Sequence, residues 1–429
     1  MKYFHLNVSP VICELFAGRR ILKCDLLNKP LHQTHSHKGA YSIVILFPMH
    51  SPSKSKAIHM NENEKHPILH SITGMRGIAC LFIVCYHYYC LYIDDMGLGL
   101  DGVPLAPYSE LFFEYSKNAV ELFFMLAGFL TAYHYRDKIA GMSPWDYFRK
   151  HYVKLLIPSV IVTLWALVNA EIRLNLIPGS DAIVRTPTPL RIILSILMIN
   201  TGWFTSIKQT GLPVNSTMWF IDVILLCYLF YYLIRKLSGT SYVFLGMCSI
   251  MVLVGWICLT HTPKLPFLWS LTGRGYATFF IGVLLCEFQT EAEPSLRKKV
   301  SFTWFVMIIG VLFVRLVLGF ETVFGEIGNS DYIRYFEFFA APALILAALN
   351  LDPVKRFFEW KPFLWLGILA SMIYYVHNNL MEDYLIIDSL NGSRVNFSSA
   401  AVCILAVAST VLCAWAVSAV NKRIHRTQS

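Results

Sequence analysis

Residues 72–92 read ITGMRGIACLFIVCYHYYCLY and form an apolar run as long as a membrane is thick. The run carries two groups that a bilayer disfavours, Arg76 and His87, eleven residues apart. An α-helix turns by about 100° per residue, so eleven residues make three turns and overshoot by only about 20°. Both side chains therefore lie on one side of the helix, about 16 Å apart along its axis. Ionisable groups at membrane depth mark functional sites, and these two predict a polar cavity beside the helix.

The whole chain is apolar. Of its 429 residues, 56% are hydrophobic and 15% are charged, and the mean hydropathy is +0.52. These values exclude an ordinary soluble domain and predict an all-α protein that crosses a lipid bilayer several times. The net charge of +9 does not indicate a nucleic-acid partner, because the Lys and Arg residues fall in short segments beside apolar runs, where they orient helices.

The cysteines do not indicate a metal site or a disulfide framework. Nine of the eleven lie in apolar runs. Cys80, Cys85 and Cys90 are five residues apart, which is about 140° around a helix, so they share no face and form no ligand set. We interpret the cysteines as buried, unreactive thiols and expect no bound metal.

Eleven apolar runs follow along the chain, each close to the length that crosses about 30 Å of hydrocarbon. They are residues 72–92, 118–135, 152–170, 189–206, 217–234, 242–260, 272–288, 302–320, 333–350, 363–387 and 398–420. The run 189–206 has the weakest claim to cross, because Pro189 opens it and the polar stretch 200–202 interrupts it. If this run does not cross, all later basic clusters fall on the cytoplasmic side. We therefore predict about ten transmembrane helices in the cell membrane, one re-entrant or interfacial segment, and both termini in the cytoplasm.

The first part of the chain differs from the rest. Residues 1–66 have mixed charge, scattered histidines and one apolar patch that is too short to cross a membrane. We predict that they are an N-terminal extension, disordered or partly non-native, ahead of a transmembrane domain at residues 67–425. Met60 opens a segment typical of a short cytoplasmic start, and the intact mass of the natural protein tests whether translation begins there.

The second run has a carboxylate near its predicted outer end and a histidine near its inner end. Glu121 lies at a depth similar to that of His87, and a carboxylate beside an imidazole holds one tautomer and makes the ring a better general base. The alternative is that Glu121 sits at the interface and pairs with Lys117. His134 either meets an anionic donor or only caps its helix.

A basic cluster opens the third run, with Arg149, Lys150 and Lys154. Lys150 and Lys154 are four residues apart and share a helix face. Such a cluster at the inner leaflet is typical of an orientation signal or a lipid headgroup contact. It also suits the phosphates of a nucleotide-like donor.

Two later runs carry polar groups of a supporting kind. Trp219 stands at the start of the fifth run, as in an aromatic belt, and Asp222 follows one turn later. A carboxylate at that depth needs a cationic or hydrogen-bonding partner, in a structural or a catalytic role. In the tenth run, His377 has Tyr374 nearby, and a structural or a functional histidine fits this pattern.

Four stretches together match one known pattern. GMRGIACLFIVCYHY carries Arg76 and His87 ten intervening residues apart, and NAVELFFMLAGFL carries an acid ahead of a Phe-Phe pair. MWFIDVILLCY runs from a tryptophan to an acid, and LGILASMIYYVHNNL closes with a tyrosine and a histidine. In this order, over residues 68–420, they resemble the acyltransferase-3 family of integral membrane acyltransferases. Ala127 stands where that family usually has Ser, which argues against a hydroxyl role there.

The resemblance implies an O-acyltransferase, commonly an O-acetyltransferase. Such an enzyme moves an acyl group from cytoplasmic acyl-CoA, often acetyl-CoA, to a hydroxyl of an outward-facing glycan or lipid-linked saccharide of the cell surface. The donor's phosphates then bind the basic side chains near the inner membrane face, namely Arg76, Arg149, Lys150 and Lys154. His87, oriented by Glu121, deprotonates the acceptor hydroxyl for direct attack.

Two alternatives to this mechanism remain at the level of sequence. A covalent acyl-enzyme is disfavoured, because no Ser or Cys is paired with a base in the sequence pattern. A proton-coupled transporter of a glycan or small anion is the alternative from another functional class, with the in-membrane His, Glu and Asp as a proton relay.

Overall fold

The apolar runs become helices throughout the part of the chain that the structure describes. It is a computed structural model, and it describes residues 62–90, 116–176, 187–204, 213–263, 265–314, 336–392, 394–395 and 399–427. The α-helices in these ranges are α1 Glu62–Tyr89, α2 Ala119–Tyr135, α3 Pro144–Leu176, α4 Pro189–Ile196, α5 Trp219–Leu237, α6 Ser241–His261, α7 Ser270–Glu291, α8 Pro294–Val314, α9 Ala341–Asn350, α10 Asp352–Phe358, α11 Lys361–Leu390 and α12 Ala400–Thr427. The same ranges contain no β-strand, only one isolated bridge between Leu265 and Leu268. The described residues therefore have the all-α fold predicted from composition.

All of these helices belong to one unit of the chain, Met60–Ser429. The predicted N-terminal extension, residues 1–66, lies almost wholly outside the described residues, which begin at Glu62. The proposed boundary near residue 66 and the start at Met60 both stay predictions.

Four described helices are long and apolar enough to cross a membrane. They are Pro144–Leu176, Ser216–Leu237, Ser241–His261 and Ala401–Ala419. A further candidate is a broken pair, Phe338–Asn350 with Asp352–Phe358, which bends by 96°. These helices indicate a membrane protein, and the total of about ten crossings stays a prediction. α1 is 28 residues long and carries Arg76 and His87, and α11 is 30 residues long and carries Tyr374 and His377.

Burial separates the inner helix from the outer ones. In the most apolar stretch of Ser216–Leu237, 67% of the residues are buried, against 22% in Ser241–His261 and 17% in Ala401–Ala419. A helix that is apolar all round and still exposed suits a lipid environment. α5 is therefore an inner helix, and α6 and α12 expose apolar faces.

α4 covers the run that was predicted not to cross. The side chain of Thr188 accepts a hydrogen bond from the backbone N–H of Arg191 at 3.3 Å, and Pro189 occupies the first turn. The helix has eight residues, which is about 12 Å of length. Beyond it, Met198 and Gly202 have positive φ angles of 56° and 83°, so the backbone turns away. As a helix, α4 is too short to cross a membrane, in agreement with a re-entrant or interfacial segment.

Two glycines bring helix backbones into direct contact. A Cβ on Gly367 of α11 would lie 1.9 Å from the carbonyl oxygen of Thr73 in α1. A Cβ on Gly128 of α2 would lie 1.9 Å from the carbonyl oxygen of Phe279 in α7. Close helix approach at small residues is common in membrane proteins. The contact at Gly367 fixes α1, which carries Arg76 and His87, against α11, which carries Ser371 and His377.

Candidate active site

Arg76 and His87 both project from α1 towards α11. Nη2 of Arg76 donates a hydrogen bond to Oγ of Ser371 at 3.1 Å. Eleven residues later, the ring of His87 packs against the ring of His377, with 5.0 Å between centroids. The two side chains therefore lie on one side of α1, as their spacing predicted.

A cavity of about 500 Å³ opens beside Arg76, between α1, α2, α3, α5 and α11. Six of its lining side chains are basic or titratable nitrogen groups, namely Arg76, His134, Lys138, Lys150, His151 and Lys154. None of the residues that line it in the described structure is an aspartate or a glutamate. The rest of the wall is largely apolar and aromatic. A cavity with this lining attracts anions and has an apolar wall for an uncharged chain.

The predicted basic residues divide into two groups. Arg76, Lys150 and Lys154 line the cavity, whereas Arg149 does not, and its side chain is exposed. The reason is the helix period, because Arg149 lies about 100° around α3 from Lys150. Arg149 is therefore not a lining residue of this cavity, and its predicted part in donor binding stays a prediction.

Lys138 and His151 also line the cavity, and sequence reasoning did not find them. His151 is three residues before Lys154 on the same helix, so the face shared with Lys154 was a signal for it. Lys138 follows α2 in a short turn, and only the tertiary structure places it opposite α3. His134, for which an anionic donor was one of two expectations, is a lining residue.

Three tyrosines hold the ring of His151. Its centroid lies 4.1 Å from that of Tyr228 in a stacked arrangement, 4.7 Å from Tyr147 and 5.1 Å from Tyr135. Its Nε2 is buried and has no hydrogen-bond partner among the described residues. The ring is therefore fixed, and a ligand in the cavity can satisfy the free nitrogen.

Tyr374 separates the cavity from the histidine pair. It lines the cavity, and its ring lies 5.2 Å from that of Phe220 and 5.6 Å from that of His377. Its hydroxyl donates to the carbonyl oxygen of Thr217, which holds the ring in place. His87 and His377 are not lining residues, so the cavity expected beside both Arg76 and His87 reaches only Arg76.

His377 is completely buried, and its hydrogen bonds define its tautomer. Nδ1 lies 2.7 Å from the carbonyl oxygen of Tyr374 and 3.2 Å from that of Ile373. A carbonyl oxygen only accepts, so Nδ1 carries the hydrogen. Nε2 then has a lone pair, and it has no hydrogen-bond partner among the described residues.

Glu121 does not contact His87, which corrects the expected pairing. Its Oε1 accepts a hydrogen bond from Nε of Arg274 in α7, and its side chain is buried. The guanidinium of Arg274 also lies over the ring of Trp219, 5.1 Å from the centroid. The carboxylate thus has a cationic partner on another helix, and spacing along α2 could not reveal that partner.

Asp222 has a hydrogen-bonding partner and no cation among the described residues. Its Oδ2 accepts from the backbone N–H of Thr201 at 2.7 Å, and its carbonyl oxygen accepts from Nε1 of Trp203 at 3.0 Å. These bonds fasten the segment after α4 to the start of α5. Of the two roles expected for Asp222, the contacts support the structural one.

A comparison with protein-family models identifies the family of this chain. A model of the acyltransferase-3 family, described as an acyltransferase domain, matches residues 69–419, which include every residue of the site described above. No curated protein and no solved structure matches the chain. On the family match, the chain belongs to the acyltransferase-3 family.

Proposed function

We propose that this membrane acyltransferase moves an acyl group, acetyl in the simplest case, from acyl-CoA to a hydroxyl of a glycan or lipid-linked saccharide. The observation that carries the proposal is the cavity, with six nitrogen side chains and no described carboxylate, ending at Tyr374. An acyl-CoA has phosphates at one end, an uncharged arm, and a thioester at the other end. The cavity presents matching surfaces in that order.

The donor's orientation follows from exposure. Lys138, Lys150 and Lys154 are exposed, and they form the rim that we assign to the phosphates. Arg76 is half-buried, deeper along the wall, and bonded to Ser371. The apolar wall between rim and Arg76 suits the uncharged arm. We assign the rim to the cytoplasmic face of the cell membrane, where acyl-CoA is available, and both termini to the same face.

The reaction is a direct transfer with His87 as general base. The acceptor hydroxyl gives its proton to His87 as its oxygen attacks the thioester carbonyl carbon. The carbon–sulfur bond breaks as the carbon–oxygen bond forms, and the thiolate then takes the proton from His87. In the described state Tyr374 stands between the cavity and the histidines, so this step requires its ring to turn aside.

Release of free CoA tests the proposal. Purified protein in lipid nanodiscs is given acetyl-CoA and an extract of lipid-linked saccharides, and CoA thiol and acetylated saccharide are measured. We expect both products in equal amounts and a fall in kcat of about 100-fold or more in His87→Ala. A proton-coupled carrier releases no CoA, and that result would overturn the proposal.

Charge variants test the donor site separately. Lys150→Gln and Lys154→Gln should each weaken CoA binding about fivefold, because each removes a charged contact at the rim. Arg149→Gln is the matched control, since it removes the same charge one residue away on the outward face. Equal effects of all three changes on CoA binding would argue against this cavity as the donor site.

A further inference from the structure

The ring of His87 is in contact with the imidazole of His377 on another helix. The rings are 5.0 Å apart between centroids and tilted by 50°, within the range of aromatic rings in contact. The ring of His87 has no hydrogen-bond partner among the described residues, and the carboxylate expected to orient it is bonded to Arg274. Something other than Glu121 must therefore choose which nitrogen of His87 carries the hydrogen.

His377 has the properties of an orienting group. Its Nδ1 hydrogen is committed to the carbonyl oxygens of Tyr374 and Ile373, which belong to its own helix. This leaves the lone pair of Nε2 as a buried acceptor without a partner among the described residues. A buried acceptor without a partner is destabilising, and among the described rings in contact with His377 only that of His87 has an N–H to offer.

We propose that His377 is the positioning residue for His87, accepting its ring N–H at Nε2 and so leaving the other nitrogen of His87 as the base. The inference rests on the proposed acyl transfer, because it gives His87 its role there. The proposed hydrogen-bond chain runs from the carbonyl oxygen of Tyr374 through the two nitrogens of His377 to His87. His377 would act as a carboxylate does in other catalytic dyads, without placing a negative charge beside His87.

The proton balance of the step is complete. The acceptor hydroxyl loses its proton to the free nitrogen of His87, and the resulting imidazolium is stabilised by its bond to Nε2 of His377. The positive charge is supported further by the two carbonyl oxygens at Nδ1 of His377. The proton then leaves His87 for the sulfur of the departing CoA thiolate, and both imidazoles return to their neutral forms.

Nuclear magnetic resonance tests the tautomers directly, without any turnover. Full-length protein labelled with ¹⁵N-histidine is placed in lipid nanodiscs, and the signals of the pair are assigned from His87→Gln and His377→Leu. We expect His377 to carry hydrogen at Nδ1 and His87 to adopt one tautomer, which becomes a mixture in His377→Leu. An unchanged His87 signal in His377→Leu, or a hydrogen on Nε2 of His377, overturns the inference.

Kinetics supply a second test. In His377→Leu we expect kcat for CoA release to fall about 100-fold, with KM for acetyl-CoA changed less than about twofold. His377→Gln keeps an acceptor oxygen and should recover at least about tenfold of that loss. Asn350→Leu is the stability control, because it removes a side chain bonded to Gln289 and Ser301 that does not line the cavity. Wild-type kcat in His377→Leu overturns the inference.

The two proposals can fail independently. If wild-type protein releases no CoA while the tautomer of His87 still depends on His377, acyl transfer fails and the positioning role stands. If wild-type protein releases CoA, His87→Gln does not, and His377→Leu matches wild type in both assays, the positioning role fails and acyl transfer stands.

Discussion

Glu121 is buried within α2, and its bond to Arg274 is what makes a carboxylate tolerable there. The guanidinium is fixed in turn by the ring of Trp219. The three side chains join α2, α5 and α7. The pair is therefore a structural tie between helices, and its chemistry differs from that of a base and its orienting acid.

Removing one partner of this pair should destabilise the protein more than removing both. Glu121→Leu removes the carboxylate that pairs with Arg274, and we expect a loss of about 3–5 kcal/mol in the free energy of unfolding. Glu121→Leu combined with Arg274→Leu should recover most of it. Denaturant unfolding of the purified variants in one lipid mixture measures both values.

Activity of the same variants separates the structural role from a catalytic one. If Glu121 only ties helices, the double variant should regain kcat together with stability. A double variant that is stable and still about 100-fold slower would return Glu121 to the catalytic machinery.

The helix period decided which site residues could be predicted. It placed Arg76 and His87 on one side of α1, and Lys150 and Lys154 on one face of α3, because these relations depend on spacing alone. It could not supply Arg274 for Glu121 or His377 for His87, since those partners come from other helices. Arg149 was grouped with the lining residues because it is next to Lys150 in the sequence. Consecutive positions of a helix lie about 100° apart, so the two side chains do not share a face.

At the scale of elements, apolar runs predict helix centres better than helix ends. The run 152–170 lies inside α3, Pro144–Leu176, which begins eight residues earlier. Ser143 caps that start, since its Oγ accepts from the backbone N–H of Asp146 at 3.1 Å. The apolar pattern of this run begins only after Lys150, whereas α3 begins before it and so includes that lining residue. The start of α3 can therefore be predicted only from hydropathy together with its capping residue, Ser143.

The contact between α1 and α11 depends on Gly367, and widening it should disturb the site. In Gly367→Ala the new methyl group meets the backbone of Thr73, so the helices must separate. We expect a loss of about 1–3 kcal/mol in stability and a larger fractional loss of kcat than of CoA affinity. Thermal unfolding and CoA-release kinetics measure the two effects.

Gly310→Ala is the matched control for this change. Gly310 is also a helical glycine, in α8, and a Cβ there would meet nothing within 4 Å. The same methyl group should leave kcat unchanged and stability equal or slightly raised. Similar kcat losses in Gly367→Ala and Gly310→Ala would show that kcat does not depend on the close contact between α1 and α11.

For the whole molecule, the balance of charge around the cavity predicts a response to salt. The rim lysines are exposed, so added salt screens their attraction for an anionic donor as the Debye length falls below about 10 Å. Raising NaCl from about 0.05 M to about 0.5 M should raise KM for acetyl-CoA several-fold with little change in kcat. Initial rates in nanodiscs of neutral lipid provide the measurement, and a salt-independent KM would contradict the assignment of the rim.

Arg76 and His87 both contact α11, and this restricts the length of donor that the site can use. Because α1 is held to α11 at Gly367, Ser371 and His377, the separation of Arg76 and His87 is fixed at about 16 Å along the helix axis. A donor must span that interval between its anchored end and its reactive carbon. Acetyl phosphate, whose charge and acyl group are adjacent, should occupy the cavity and inhibit, yet deliver nothing to the acceptor.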